Sequence, residues 1–398
     1  MKILFYSPHP THDIVSEVGY ATHQRETIIA LQGLGVEVIP VILGGVTLSE
    51  MPFKDGKALE PKGIKGVIKK IIPRFVWLSL KNFDLFAKHD FKARMRLEQA
   101  VIEHSPDLLY ERSEYLQDSG TKVAQKYGIK HFIEVNAPFV EEMRAMEGWH
   151  VWQWLAHFKE KKKYRAADRV FVVSTVLKDF LVKRYKVNPA KILVSPNRIN
   201  EKSFLLKAQS PTKIQVSFRD AAPLVGFVGS ILPHHHLDIM IDVFAKLNKE
   251  NVDVNLLIVG GGSLLDELKR QAEEKGLRDR IHFTDRVPHQ DIPALIQTMD
   301  ICVMPASNWY GSPVKIFEYG IMGKAVVAPD NGPVSDVMVD NEDGLLVQNN
   351  VDEIATAITK LVKDIDLRHR LGEHFRQKII QGFTWRHAAE MILKEANK

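Results

Sequence analysis

Residues 310–320 read YGSPVKIFEYG. Ser312 is a favoured N-cap type, and Pro313 suits the first position of a helix. The spacing therefore predicts a helix starting here, with Lys315 in its first turn and Glu318 on the same face at i+3. A cation in a first turn opposes the helix dipole, which favours anions there. The arrangement makes sense once an anion binds. A helix N-terminus is a ready phosphate site, Lys315 adds a full positive charge, and Glu318 can accept hydrogen bonds from a ribose diol. Val314, Phe317 and Ile321 form the predicted core stripe of the helix. The competing reading is a surface pair of Lys315 and Glu318, worth about 0.2–0.5 kcal/mol.

Other motifs exclude more than they assign. VGGGSLL, from Val259, departs from G-x-G-x-x-G at Leu265 and does not read as NAD binding. No G-x-x-x-x-G-K-[ST] occurs, so a P-loop is absent. His234, His235 and His236 invite a zinc reading, but three consecutive side chains do not converge easily on one ion, and no Cys or acidic cluster accompanies them. One of these rings facing a phosphate is the better expectation.

These residues need elements to position them. Short apolar runs alternate with amphipathic segments along the chain. Candidate strands lie at 2–7, 36–43, 107–112, 130–135, 169–174 and 191–196, and again at 223–230, 254–260, 280–285, 300–305, 325–329 and 344–347. Strands buried on both faces read as continuous apolar runs, and their alternation with helices predicts parallel sheets covered on both sides. Residues 201–222 lack periodicity and read as a linker. The expectation is an α/β chain of two doubly wound, Rossmann-like domains, 1–200 and 201–383, facing each other across a deep cleft. The C-terminal helix, 384–398, is expected to pack back on the first domain. Ligands of such sheets bind outside the carboxyl ends of the strands. The turns at Ser7–Pro10, Asn136–Pro138, Ser230–His236, Gly260–Ser263 and Trp309–Glu318 all follow strands.

With 398 residues and 45% hydrophobic content, the chain has material for two or three cores. No apolar run is long enough to span a bilayer, and MKILFYS reads as a first buried strand rather than a signal peptide. The single cysteine, Cys302, excludes an intrachain disulfide and points to the core and to a reducing, cytoplasmic setting. The formal charge of +5 is uneven: residues 54–96 hold twelve Lys or Arg against four acids. Apolar residues interleave with them in IKGVIKKIIPRFVWLSLKNF, a mixture that suits an anionic membrane face. A solvated basic helix pair is the plainer reading. No recognised nucleic-acid module appears, and no nucleic-acid partner is expected.

YGSPVKIFEYGIMGKAVVAPDNGPVSDV resembles the donor-site segment of the family 4 glycosyltransferases, which have the GT-B fold. GFVGSILPHHHLDIMIDVF is similar to the glycine-containing donor loop of that family. The stretch from LLIVGGG to DICVMPAS has its expected order of elements, and LLYERSEYLQDSG, IEVNAP and AADRVFVVS resemble its first-domain segments. GFTWRHAAEMI looks like its closing helix. The resemblance implies retaining, metal-independent transfer of a sugar from a UDP- or GDP-sugar to a glycan or lipid-linked acceptor in surface polysaccharide synthesis. No cofactor is implied.

By this likeness Lys315 meets the diphosphate and Glu318 holds the ribose. Gly311 and Ser312 offer backbone N–H groups to the transferred sugar, with Pro313 and Val314 beside them. Asn136 lies near that sugar, and Gly19 near the phosphates. Gly229, Ser230 and His235 form the donor loop, His235 standing in for a cation, and Asn197 falls in the family's PNG motif. The chain departs from the pattern at Tyr310, where the first glutamate of E-x7-E is expected, at His236, where glycine is usual, and at Arg198. Those departures support a second reading, a GT-B shell that binds nucleotide without turnover. A GT-B sugar-nucleotide epimerase is a third.

Overall fold

All twelve apolar runs become parallel strands in the computed structural model, which describes residues 1–16, 18–44, 73–209, 214, 216, 218 and 221–398. They form two sheets of six. One unit comprises Met1–Ser195 and Ala388–Lys398, and the other comprises Pro196–His387.

The first sheet contains β1 (Lys2–Ser7), β2 (Glu37–Ile42), β3 (Leu108–Arg112), β4 (Lys130–Val135), β5 (Arg169–Val172) and β6 (Ile192–Val194), in the order β2-β1-β3-β4-β5-β6. The second contains β7 (Leu224–Val228), β8 (Asn255–Val259), β9 (Ile281–Phe283), β10 (Ile301–Val303), β11 (Ala325–Pro329) and β12 (Leu345–Val347), in the order β12-β11-β10-β7-β8-β9. The chain reverses its direction of travel between β1 and β3 in one sheet and between β7 and β10 in the other. Such reversal points open a crevice at the carboxyl ends of the strands. The loops after β7 and β10 carry residues 229–236 and 304–313, most of the predicted donor site.

Alternation along β7 shows why these runs are apolar throughout. Val225 and Phe227 enter one core with Leu256, Ile258, Ile301 and Val303, while Leu224 and Val228 enter another with Leu257, Val259 and Cys302. Period-two side chains thus fill two helical layers at once. Cys302 is fully buried, as the sequence predicts, and burial pushes its thiol pKa up. The last helix, Trp385–Ala396, lends Ala389, Ile392 and Ala396 to the core around Ile3 and Phe5. Arg169 Nε donates to Glu395 Oε2 at 2.7 Å and Lys130 Nζ to the Ala396 carbonyl at 2.8 Å, fixing it there.

One expectation changes. Residues 201–208 are not linker but a helix, Glu201–Ala208, capped by Asn200, whose Oδ1 accepts the Ser203 N–H at 3.1 Å. Only Phe204 and Ala208 are buried on it, too few anchors to show periodicity over eight residues. Of the basic segment 54–96, residues 54–72 lie outside the described residues. The remainder forms a helix, Arg74–Asn82, that runs through a π turn at Phe83–Ala87 into Lys88–His104. No described helix is long and apolar enough to cross a membrane.

Candidate functional site

The helix after β10 begins at Val314, one turn position later than its sequence predicts, and ends at Ile321. Ser312 is not its N-cap. Its Oγ instead accepts the Asn197 N–H at 3.0 Å, and its carbonyl accepts Asn197 Nδ2–H at 2.6 Å. Pro313 takes the cap position, and no side chain caps the helix. Asn197 therefore acts as a clamp on the approach to the helix. Val314 is 45% exposed and leaves the core stripe, whereas Phe317 and Ile321 are fully buried. The helix is aimed by its far side. The Val228 N–H donates to Tyr319 Oη at 2.8 Å, tying the helix to the end of β7. A Cβ on Gly320 would lie 2.7–2.8 Å from Ile379 and Phe375 atoms, so glycine lets the helix Ile365–Gly382 pack against it.

That aim removes the surface-pair reading of Lys315. Its Nζ is buried and makes no hydrogen bond among the described residues. It sits 4.2 Å from the centre of the Phe227 ring, a cation–π contact. No Lys315–Glu318 ion pair forms. Glu318 is buried instead, with Oε1 3.7 Å from His289 Nε2. Desolvation lowers the Lys315 pKa from 10.5 to about 7, with Glu318 pulling weakly the other way. An ammonium stripped of water and left unpaired is a costly device.

The donor loop closes around this ammonium. Gly229 has φ +149°, and a Cβ there would stand 2.9 Å from Lys315 Nζ. The triple glycine serves the same wall. A Cβ on Gly260 would meet the Gly229 carbonyl oxygen at 2.0 Å and one on Gly262 the Ile231 oxygen at 2.1 Å, so the exits of β7 and β8 touch backbone to backbone. Ser230 is exposed. His235 does turn towards Lys315, but it is not the standing cation that the sequence implies. Burial, then the neighbouring Lys315, lower its pKa to about 3, and its ring packs edge-on against Phe227 at 5.8 Å. Its Nδ1 is buried without a hydrogen-bond partner among the described residues. His236 adopts a left-handed conformation at φ 47°, the geometry that favours glycine.

The loop before the helix holds the feature that sequence reading missed. Asn308 Oδ1 accepts the Gly311 N–H at 2.5 Å and the Tyr310 N–H at 3.3 Å. The Gly311 N–H expected to meet a sugar is thus already engaged. Asn308 is an ordinary turn residue by type, and only the fold shows where its carbonyl points. Tyr310 packs edge-on against Trp309 at 5.2 Å. Arg198 is buried over the Phe383 ring at 5.2 Å and donates to the Pro196 carbonyl at 2.7 Å; desolvation lowers its pKa to about 10.

Lys315, Glu318, Gly229, Ser230, His235, Asn197 and residues 310–314 thus fall in the second unit, whereas Gly19 and Asn136 fall in the first. Gly19 opens the helix Gly19–Gly33 after β1. Asn136 follows β4, and its Nδ2–H donates to Glu134 Oε1 at 2.7 Å. Glu134 also takes the Tyr110 hydroxyl at 2.7 Å and Arg112 Nη1 at 3.2 Å. At the β1/β3 reversal, buried polar atoms of Ser7, His12, Gln24, Gln117 and Thr121 have no hydrogen-bond partner among the described residues. His9, His12 and Glu114 gather ligand-type atoms within 4.8 Å of one another. That trio suits an ion poorly. His9 Nδ1 accepts the N–H groups of Thr11 and His12 at 3.1 and 3.2 Å, which leaves its proton on Nε2. The two rings also stack at 3.4 Å, with parallel lone-pair planes.

The family described as Glycosyltransferase Family 4 matches residues 19–202, and that described as Glycosyl transferases group 1 matches residues 209–378. The chain belongs to glycosyltransferase family 4. Its GT-B fold is shared, over 99% of this chain, with a glycosyltransferase from Rickettsia africae (TM-score 0.69, 16% identity, 97% of that chain) and with Anabaena HepE solved with UDP (TM-score 0.67, 15% identity, 99% of that chain). A glycosyltransferase of Methanocaldococcus jannaschii is 26% identical over 58% of each chain. The UDP-Gal:alpha-D-GlcNAc-diphosphoundecaprenol alpha-1,3-galactosyltransferase of Escherichia coli is 25% identical over 78% of this chain and 79% of its own. The alpha-D-kanosaminyltransferase of Streptomyces kanamyceticus is 30% identical over 39% of this chain and 40% of its own, so for several such relatives this family 4 chain spans about half of their length. Neither the shell without turnover nor the epimerase is favoured by these matches.

Proposed function

We propose that the protein transfers a sugar, with retention, from a UDP- or GDP-sugar to a glycan or lipid-linked acceptor in surface polysaccharide synthesis. The observation that carries this reading is the buried Lys315 Nζ, with no hydrogen bond among the described residues, beside the uncapped start of the helix Val314–Ile321. When the glycosidic bond to the β-phosphate breaks, the electron pair leaves with the nucleoside diphosphate. Lys315 and the helix N-terminus are placed to take up that charge, and a preorganised donor in a dry site is worth about 2.7–4 kcal/mol. In this reading they do so without a metal ion. Glu318 holds the ribose, and a bound diphosphate draws His235 toward its charged form. The relatives' donors, UDP-galactose and in mycobacterial mannosyltransferases GDP-mannose, define the two nucleotide classes to test.

In this reading the acceptor belongs to the first unit. Asn136 lies on that side as a group for the transferred sugar. A diphosphoundecaprenol acceptor in the E. coli relative supports a lipid-linked one here. The basic segment 54–96 brings the cytoplasmic enzyme to an anionic membrane. A nucleotide-sugar screen followed by turnover of wild type and Lys315→Ala tests the proposal. The variant should fold and lose at least about a hundredfold in turnover. Unchanged turnover, or a strict requirement for divalent metal after chelation, would refute the roles assigned, and inversion in the product would refute retention.

A further inference from the structure

Glu134 is a carboxylate near the end of the largely apolar strand β4, and it is only 5% exposed. The parallel register sets it opposite Arg112 of β3, with Tyr110 two residues earlier on the same face. Both donate to it, the Tyr110 hydroxyl to Oε2 at 2.7 Å and Arg112 Nη1–H to Oε1 at 3.2 Å. From the helix Gly19–Gly33, His23 brings Nδ1 to 3.5 Å from Oε1. Burial by itself pushes the Glu134 pKa up. His23 and Arg112, then the hydrogen bonds of Asn136 and Tyr110, outweigh it, and the net shift is downward. Glu134 is therefore held as an anion, and an ionised carboxylate only accepts hydrogen bonds.

That fixes the direction of its bond with Asn136, whose Nδ2–H donates to Oε1 at 2.7 Å. A side-chain amide has a donor end and an acceptor end. Reversing this one would set two acceptor oxygens against each other at the same separation. The Asn136 oxygen is thus turned away from Glu134, on a residue that is half-buried. An oxygen held this way meets only a ligand group that donates: a hydroxyl, and not an ether, an ester or a carboxylate.

We propose that Glu134 is a positioning residue that locks the Asn136 amide with its oxygen outward, so that a sugar bound there must carry a free hydroxyl at the contacted carbon. This rests on the reading of Asn136 as a group for the transferred sugar, and adds which end of the amide the sugar meets and what holds it so.

The probes are the nucleotide sugar that wild type turns over and its analogues with each sugar hydroxyl replaced in turn by fluorine, which does not donate. At one position fluorine should cost wild type about tenfold more in kcat/KM than it costs Asn136→Ala. Comparing the two proteins cancels the intrinsic effect of fluorine on the chemistry. Asn136→Asp probes Glu134. Two carboxyls this close share one proton; while it stays, the acid O–H donates to Glu134 as the amide did and leaves a carbonyl oxygen outward. Turnover relative to wild type should therefore be highest at about pH 6 and fall about tenfold by about pH 9, as the proton leaves and the two anions repel. Adding Glu134→Gln, which cannot ionise, should flatten that ratio. Tyr110, Arg112 and His23, the groups facing Glu134, are common to every form, so their own titration cancels. UDP or GDP alone lacks the sugar and should raise the melting midpoint of wild type and of the Asn136 variants equally. A ratio flat across this range in Asn136→Asp, or no fluorine position coupled to Asn136, would overturn the proposal. So would a smaller nucleotide shift in the variants, which would put Asn136 on the nucleotide. Coupling found only with fluorinated acceptors would support the lock and refute the assignment of Asn136 to the transferred sugar.

Discussion

Replacing Lys315 by methionine should stabilise the protein while emptying its donor site. Moving the lysine pKa from 10.5 to about 7 corresponds to about 5 kcal/mol of lost preference for the charged form. A methionine fills similar space along Phe227 without that penalty. Exchange of buried charges for apolar groups of like volume commonly gains about 1–4 kcal/mol, so the gain should fall in that range. The sign follows from proton counting. Between pH 10.5 and 7 the unfolded chain holds a proton on this lysine that the folded chain lacks, so wild-type stability falls as pH drops through that window. Below about pH 7 both states are protonated and the deficit stays constant.

Lys315→Met should therefore exceed wild type most at pH 7 and below, and converge with it towards pH 10.5. For a unit of this size each kcal/mol moves the melting temperature by about 2–4 °C. Differential scanning fluorimetry across pH measures the difference, with the nucleotide-induced shift recorded beside it. UDP or GDP should raise the wild-type midpoint and leave the variant nearly unmoved. A variant that melts lower at pH 7, or a difference flat from pH 7 to 10, would mean that the ammonium is solvated or paired. The electrostatic account of the site would then fail.

Two further substitutions probe the loops that frame Lys315. His236→Gly should relieve a left-handed backbone worth about 1–2 kcal/mol and raise the midpoint by a few degrees; a lower midpoint would mean that the ring holds the loop by contacts of its own. Ser312→Ala strips the Asn197 N–H of its acceptor and should cost about 1–3 kcal/mol. Asn197→Ala removes the other bond, from its side chain to the Ser312 carbonyl, and should cost about 1–3 kcal/mol in its own right; unchanged melting in both variants would deny the clamp.

The architecture was legible because of burial. A parallel strand covered on both faces is apolar at nearly every position, so runs such as LVGFV and NLLIV declare themselves. Long amphipathic helices do the same through their periodicity. The helix Glu201–Ala208 did not, since two anchors in eight residues make no stripe. At the site, chemical types were readable but orientations were not. Ser312 is an N-cap by type, yet its hydroxyl accepts from Asn197, more than a hundred residues away in sequence. His235 carries a cationic type, yet burial next to Lys315 keeps it neutral.

Residue types and their order along the chain were enough to specify two parallel α/β sheets, the positions of the strand ends and the anomaly of a lysine at a helix start. These properties are local: they depend on pattern over a few turns. The tertiary fold decided that Lys315 points inward over Phe227 rather than into water, that Asn308 occupies the Gly311 N–H, and that Arg198 lies over the Phe383 ring. Each depends on which neighbour excludes water from a group, and that neighbour can come from anywhere in the chain.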